Sequence, residues 1–229
     1  EVALGTGQEV YVNPTMFFEK TYVTVGLRDI ANRVILALNG EDTENRVISL
    51  QTGFGGGKTH SLISLYHIAK AGKDMMSSSY SSHILNSGVY PKDDNAKVAV
   101  FTNSTTDVAQ GHILEDGTRI STLWGELAYQ LCGIEGYNLF KDNDEKKIAP
   151  TADLFKKLLK DCTPALIRIH ELADYCSKAA AVKIGASTLS DQTIAFMQAL
   201  TEAVSSVPKV VLITTLPASD TEVAGSAEG

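Results

Sequence analysis

The sequence predicts an α/β domain of three layers, a parallel sheet covered by helices on both faces. Four short runs predict it: 46–51, 97–102, 165–169 and 209–215 are mostly apolar and rich in Val and Ile, with helix-forming stretches between them. Strands that are apolar on both faces and alternate with helices belong to a buried parallel sheet. At 229 residues and 44% hydrophobic content, the chain is long enough for one such domain and too apolar for a disordered segment.

The chain divides into a helical leader, 1–45, and a sheet core, 46–229, read together as a single domain. In the leader, a Pro and two aromatics (Phe17, Phe18) precede Leu27, Ile30, Ala31, Val34 and Leu38 at helical spacing, and Asn39-Gly40 ends that helix. The run 46–51 is the first strand. Leu62, Leu65, Tyr66 and Ala69 then share one face of the next helix. The stretch 71–96 contains MMSSSYSS and PKDDN and reads as a polar, mobile surface insertion. Lys97–Thr102 is the second strand. After a loop with Asp116-Gly117, the helix 122–131 stacks Leu123, Leu127 and Leu131, with Trp124 packing inward. The charged run KDNDEKK (141–147) reads as a loop before a helix at 152–160. Ala165–Ile169 is the third strand and runs into His170 and Glu171. The helix 191–207 turns Ile194, Met197, Leu200, Val204 and Val207 inward, and 209–215 is the fourth strand. No internal repeat of about 20 to 50 residues is present.

Composition narrows the function classes. A net charge of −7 gives no whole-surface attraction for nucleic acid, so direct nucleic-acid binding by this chain is not supported. No apolar run approaches the roughly 18 to 20 residues of a membrane span, and the start lacks a basic-then-apolar leader. Three cysteines without CxxC spacing argue against a disulfide scaffold and a zinc finger, and fit a reducing cytoplasm. Starting at Glu1 and ending at Gly229, the chain is read as a piece of a longer protein, and the fold as incomplete.

The segment Thr52-Gly-Phe-Gly-Gly-Gly-Lys-Thr59 lies between a strand and a helix. A phosphate needs backbone N–H groups converging on it at a helix N-terminus, in a turn that only glycine adopts cheaply. Gly53, Phe54, Gly55, Gly56 and Gly57 would form that cradle, with the 53–60 segment, His60 included, ordering around the phosphates. Lys58 would contact β- and γ-phosphate oxygens, and Thr59 would offer its hydroxyl to Mg²⁺. The consensus loop begins with Gly where this chain has Thr52. The alternative is a glycine-rich turn that only connects strand to helix.

Hydrolysis needs a second, acidic element at the end of a strand beside the first. Leu166-Ile-Arg-Ile-His-Glu171 is the candidate. Glu171 stands where a carboxylate would polarise the attacking water, and His170 where an Asp would organise the metal. Neutral imidazole suits Mg²⁺ poorly, and the alternative for His170 is an ordinary strand-end histidine. Arg168, in a central strand, is expected to find a carboxylate or reach the sheet edge. Thr215, at the end of the fourth strand, could hold the water or sense the γ-phosphate, although threonine is also an ordinary strand residue. His60 and His67 are read as packing residues rather than metal ligands. Phe17, Phe18 and Tyr22 are read as core, with packing against adenine as the alternative.

The succession NPTMFFEKTYVTVGLRDI, LQTGFGGGKTHSLISLYH, DGTRISTLWGELAYQL, FMQALTEAV and LPASDTEV, spanning about 11 to 225, resembles a family of large prokaryotic P-loop ATPases of the AAA+ group. Their conserved domain long carried only an unknown-function label. The most specific markers are FGGGKTHS and TLWGELA. The family loop also lacks the first consensus glycine, whereas its strand reads like LILIDE, so Arg168 and His170 are departures. The resemblance implies a P-loop, AAA+-like core in a chain several times longer, with lid, fifth strand and arginine finger elsewhere. It also implies genes beside DNA methyltransferase, restriction and phage-defence genes, and hence partners in DNA modification or defence.

The function expected from the sequence is ATP binding with Mg²⁺-dependent hydrolysis, as the motor or switch portion of a larger cytoplasmic assembly or homo-oligomer. One alternative is a nucleotide-responsive scaffold impaired in hydrolysis by His170. A second, a small-molecule kinase, is disfavoured because 71–96 contains no arginine for a lid. Absence of a guanine-reading NKxD motif tilts the base preference to ATP.

Overall fold

The computed structural model describes residues 2–44, 46–51, 57–102, 108 and 110–216. After a 3-10 turn at Val2–Leu4 come the leader helices α1 (Glu9–Val12), α2 (Pro14–Glu19) and α3 (Val25–Leu38). Strand β1 (Val47–Gln51) precedes helix α4 (Lys58–Ala71), followed by a 3-10 turn (Gly72–Ser77), α5 (Ser81–Ile84) and β2 (Lys97–Thr102). A ribbon of β3 (His112–Ile113) and β4 (Arg119–Ile120) leads to α6 (Leu123–Lys146) and α7 (Ala152–Asp161). Then follow β5 (Ala165–His170), α8 (Leu172–Ala179), a ribbon of β6 (Lys183–Ile184) and β7 (Ser187–Thr188), α9 (Leu189–Ser206) and β8 (Val210–Leu216).

The four long strands form one parallel sheet in the order β1-β8-β5-β2. From β1 the chain crosses to the far edge at β2, then walks back through β5 and β8. Right-handed crossovers therefore place α4 on one face and α6 to α9 on the other. The side chains obey: Val98, Leu166, Val211 and Ile213 pack with α3 and α4, whereas Phe101, Ile167, Val210 and Leu212 pack with α6, α7 and α9. The expected class, the layering and all four expected strands are present.

The TLWGELA segment is structural. Thr122 caps α6 by accepting from the Gly125 amide at 3.2 Å, and its hydroxyl donates to the Asp144 carboxylate. Asp144, fully buried, also accepts from the Ser121 amide at 3.0 Å. A Cβ on residue 125 would lie 2.4 Å from Asp144 Oδ1, so this contact requires glycine. Leu123, Trp124, Leu127 and Ala128 are fully buried. The Gln130 amide accepts from Val100 N at 2.7 Å and donates to Val100 O at 3.0 Å, standing in for a neighbouring strand along β2.

Several expectations are corrected. Residues 141–146 of the KDNDEKK run are helical, because α6 breaks at Cys132 and Gly133 (φ 63°, ψ −154°) and resumes, burying Asp144 and Phe140. That break carries Cys132 to Cys162 at the end of α7, where the two are joined as a disulfide with Cα atoms 6.3 Å apart; Cys176 is free. The pairing is a tertiary contact that the 30-residue separation does not reveal. Ile194 is 62% exposed, since the buried face of α9 runs through Thr193, Phe196, Leu200 and Ala203. The 71–96 stretch is not a loose surface insertion: its Met75 and Ile84 are fully buried in the core shared with α3 and α4.

The leader packs on α4. Phe17 and Phe18 are buried, each contributing about 1.5–3 kcal/mol by area removed from water. Phe17 stacks on His60 with centroids 4.5 Å apart. Thr21 Oγ1 already donates to the Phe17 carbonyl at 2.7 Å, so at 2.8 Å it accepts from His60 Nε2. His67 Nε2 donates to the Tyr11 carbonyl at 2.8 Å. Burial pushes both imidazoles below the ordinary histidine range. A base whose pKa folding lowers contributes stability above its unfolded value, here 6.5, and that stability is lost as pH falls. Buried Asp144, whose carboxyl burial pushes up, has the opposite sign and gains folding stability on protonation. A melting-temperature series from about pH 7 to about pH 5 is therefore expected to fall less steeply in His67→Gln than in the unaltered chain.

Candidate functional site

All four strands of a parallel sheet point the same way, so Gln51, Leu216, His170 and Thr102 end at one edge. Ligands of open α/β sheets bind outside this carboxyl edge, where crossovers leave on opposite faces. Here the crossover from β1 runs over one face and those from β2 and β5 over the other.

Helix α4 opens at this edge. Gly57 is its N-cap with φ 75° and ψ 16°, a left-handed conformation; a Cβ at this position would meet no atom within 4 Å, so backbone conformation and not space favours glycine. Lys58 and Thr59 occupy the first turn, half-buried and exposed respectively. The His60 ring is turned to Phe17 and Thr21 of the leader. The expected cradle residues Gly53, Phe54, Gly55 and Gly56, with Thr52, lie outside the described residues.

Strand β5 is not the neighbour of β1. Strand β8 lies between them, so the ends of β1 and β5 stand roughly 10 Å apart, twice the interstrand spacing. Thr215, buried at 7% exposure, sits on the intervening strand beside Leu50 of β1. Along β5, Leu166, Arg168 and His170 alternate onto the α4 face. Glu171 adopts φ 59° and ψ 36°, a conformation uncommon for a non-glycine residue, and opens α8. Its Oε1 is 3.5 Å from His170 Nδ1. Burial, above all, holds the His170 imidazole below the ordinary histidine range; Arg168 and Lys58 act the same way, and Glu171 opposes them. The contact that ties β5 to α4 near this edge is the Arg168 guanidinium under the helix.

Arg168 meets neither outcome expected for it. It is 8% exposed, and its Nη1 donates to the Leu62 carbonyl at 3.0 Å, under the second turn of α4. Its Nε is buried without a hydrogen-bond partner, and no carboxylate pairs with it among the described residues. Burial pushes the guanidinium down to about 10. The Thr21–His60 bond was not legible either, since the two residues are 39 apart and nothing in the sequence pairs the leader with the start of α4. Tyr22, next to Thr21, is 86% exposed, unlike the buried Phe17 and Phe18.

A hard divalent cation favours oxygen ligands that include carboxylates. Among the described residues, the end of β5 brings to this edge a buried guanidinium, an imidazole and, directly after it, a carboxylate 3.5 Å from that imidazole. No group of three His, Cys, Asp or Glu side chains able to hold a metal occurs among the described residues. Thr59 offers one hydroxyl. The described residues do not fit an Mg²⁺ site organised by β5.

The sequence matches the DUF499 N-terminal domain over residues 1–228. The chain belongs to the DUF499 family. No curated protein and no solved structure matches it. In this DUF499 domain the sheet order puts Gly57, where the glycine-rich segment meets α4, at the carboxyl edge. Among the described residues, no helix of the domain is long and apolar enough to cross a membrane.

Proposed function

We propose that this DUF499 domain binds ATP at the carboxyl edge of its sheet, as the motor or switch portion of a larger ATPase. The observation that carries the reading is a left-handed Gly57 opening α4 directly into Lys58 and Thr59, after a strand at the switch point of the sheet. Lys58 would neutralise β- and γ-phosphate charge, Glu171 would orient the attacking water, and Thr215 would report on the γ-phosphate from between the two. Partners in DNA modification or defence, and operation within a longer chain or homo-oligomer in the cytoplasm, follow from the AAA+ resemblance and belong to this proposal.

A second reading, a switch impaired in hydrolysis, is favoured by one observation: the two polar β5 side chains facing α4 are Arg168 and His170, where a metal-organising carboxylate is needed. On that reading ATP turnover by the unaltered chain is slow, and His170→Asp raises it at least about tenfold. Phosphate release under saturating Mg²⁺ and ATP checks this. No increase in the mutant would remove the second reading.

A further inference from the structure

We infer that this site takes the nucleoside triphosphate without a divalent cation, with the chain's own cations neutralising the phosphates; the inference rests on the ATP-binding reading above. A triphosphate tail carries about four negative charges, of which a bound Mg²⁺ ordinarily offsets two. Here Lys58 supplies one positive charge, and the N-terminus of α4 roughly half of one. Arg168 supplies another from beneath that helix, buried, hydrogen-bonded only through Nη1 to Leu62, and with no carboxylate to cancel it among the described residues.

An uncompensated buried guanidinium is costly to keep, and leaving it unpaired makes sense where an anion completes the charge balance. The same field that attracts polyphosphate opposes a divalent cation. Among the described residues, the carboxylate directly after β5, Glu171, lies 3.5 Å from His170 Nδ1. The position that an acidic residue would occupy is held by the His170 imidazole, which supplies no negative charge in either protonation state. The donor set is therefore matched to an anion and mismatched to Mg²⁺.

The test is calorimetric titration of the full chain with ATP, once in excess EDTA and once in excess Mg²⁺. The two dissociation constants are expected to agree within about threefold, a small step on the affinity scale. In His170→Asp, the Mg²⁺ titration is expected to become at least about tenfold tighter than the EDTA titration, because the new carboxylate can organise the ion. In Arg168→Met, ATP affinity in EDTA is expected to fall about three- to tenfold, while the melting temperature does not fall. Binding that requires Mg²⁺ in the unaltered chain would overturn the inference and leave the ATP-binding reading standing. Binding in neither condition would overturn both.

Discussion

Replacing Lys58 with alanine is expected to weaken ATP binding by about 10- to 100-fold. A hydrogen bond to a charged group contributes roughly 1.5–3 kcal/mol, and on the proposed reading Lys58, in the first turn of α4, would make such bonds to two phosphates. Because a phosphate at a helix N-terminus is also held by backbone amides, loss of the ammonium leaves residual affinity. The fold is expected to survive, since alanine is the best helix former and position 58 is only half-buried. Calorimetry gives the affinity, and circular dichroism through thermal melting gives the fold. Unchanged ATP affinity in a folded Lys58→Ala chain would overturn the assignment of the loop.

The largest effect on stability is expected at Asp144. Its carboxylate takes the Ser121 amide, the Thr122 hydroxyl and the Tyr137 hydroxyl, and thereby ties the start of α6 to the half beyond the break at Gly133. Tyr137 has a second acceptor, the Arg119 carbonyl at 3.0 Å, but no other acceptor is present for the Ser121 amide or the Thr122 hydroxyl among the bonds of the described residues. Asp144→Ala strands both, at about 1–3 kcal/mol each, and adds a small cavity, so about 3 kcal/mol or more is expected to be lost. Asp144→Asn keeps one acceptor and removes a carboxyl that burial pushes up, and is expected to cost much less. Urea unfolding of both variants checks this. Equal losses would show that the charge, not the hydrogen bonds, holds the segment.

The sheet was legible because its strands are buried on both faces and carry their pattern locally. Positions 97–102 and 165–169 read as strands from apolar content, and the capped helices beside them from spacing. What escaped depends on distant partners. The KDNDEKK run becomes helical through ion pairs such as Lys146 with Asp142 at 3.4 Å, and through the burial of Asp144 against residues more than 20 positions earlier. Ile194 fits an apolar helical period, yet the turn of α9 that meets the sheet is set by Thr193 and Phe196. At the site, the residue types at Lys58, Thr59 and Glu171 were readable from the motif. The αL backbone of Glu171, the insertion of β8 between β1 and β5, and the unpaired Nε of Arg168 emerge only once the strands are laid side by side.

The most direct test is amide chemical-shift mapping of the full chain during titration with ATP. The account predicts that the largest shifts saturate together at Gly55–His60 and His170–Glu171, with Lys58→Ala needing about 10- to 100-fold more ATP to produce them. Saturating ATP that leaves those amides unmoved, or that shifts a different edge of the sheet, would contradict it.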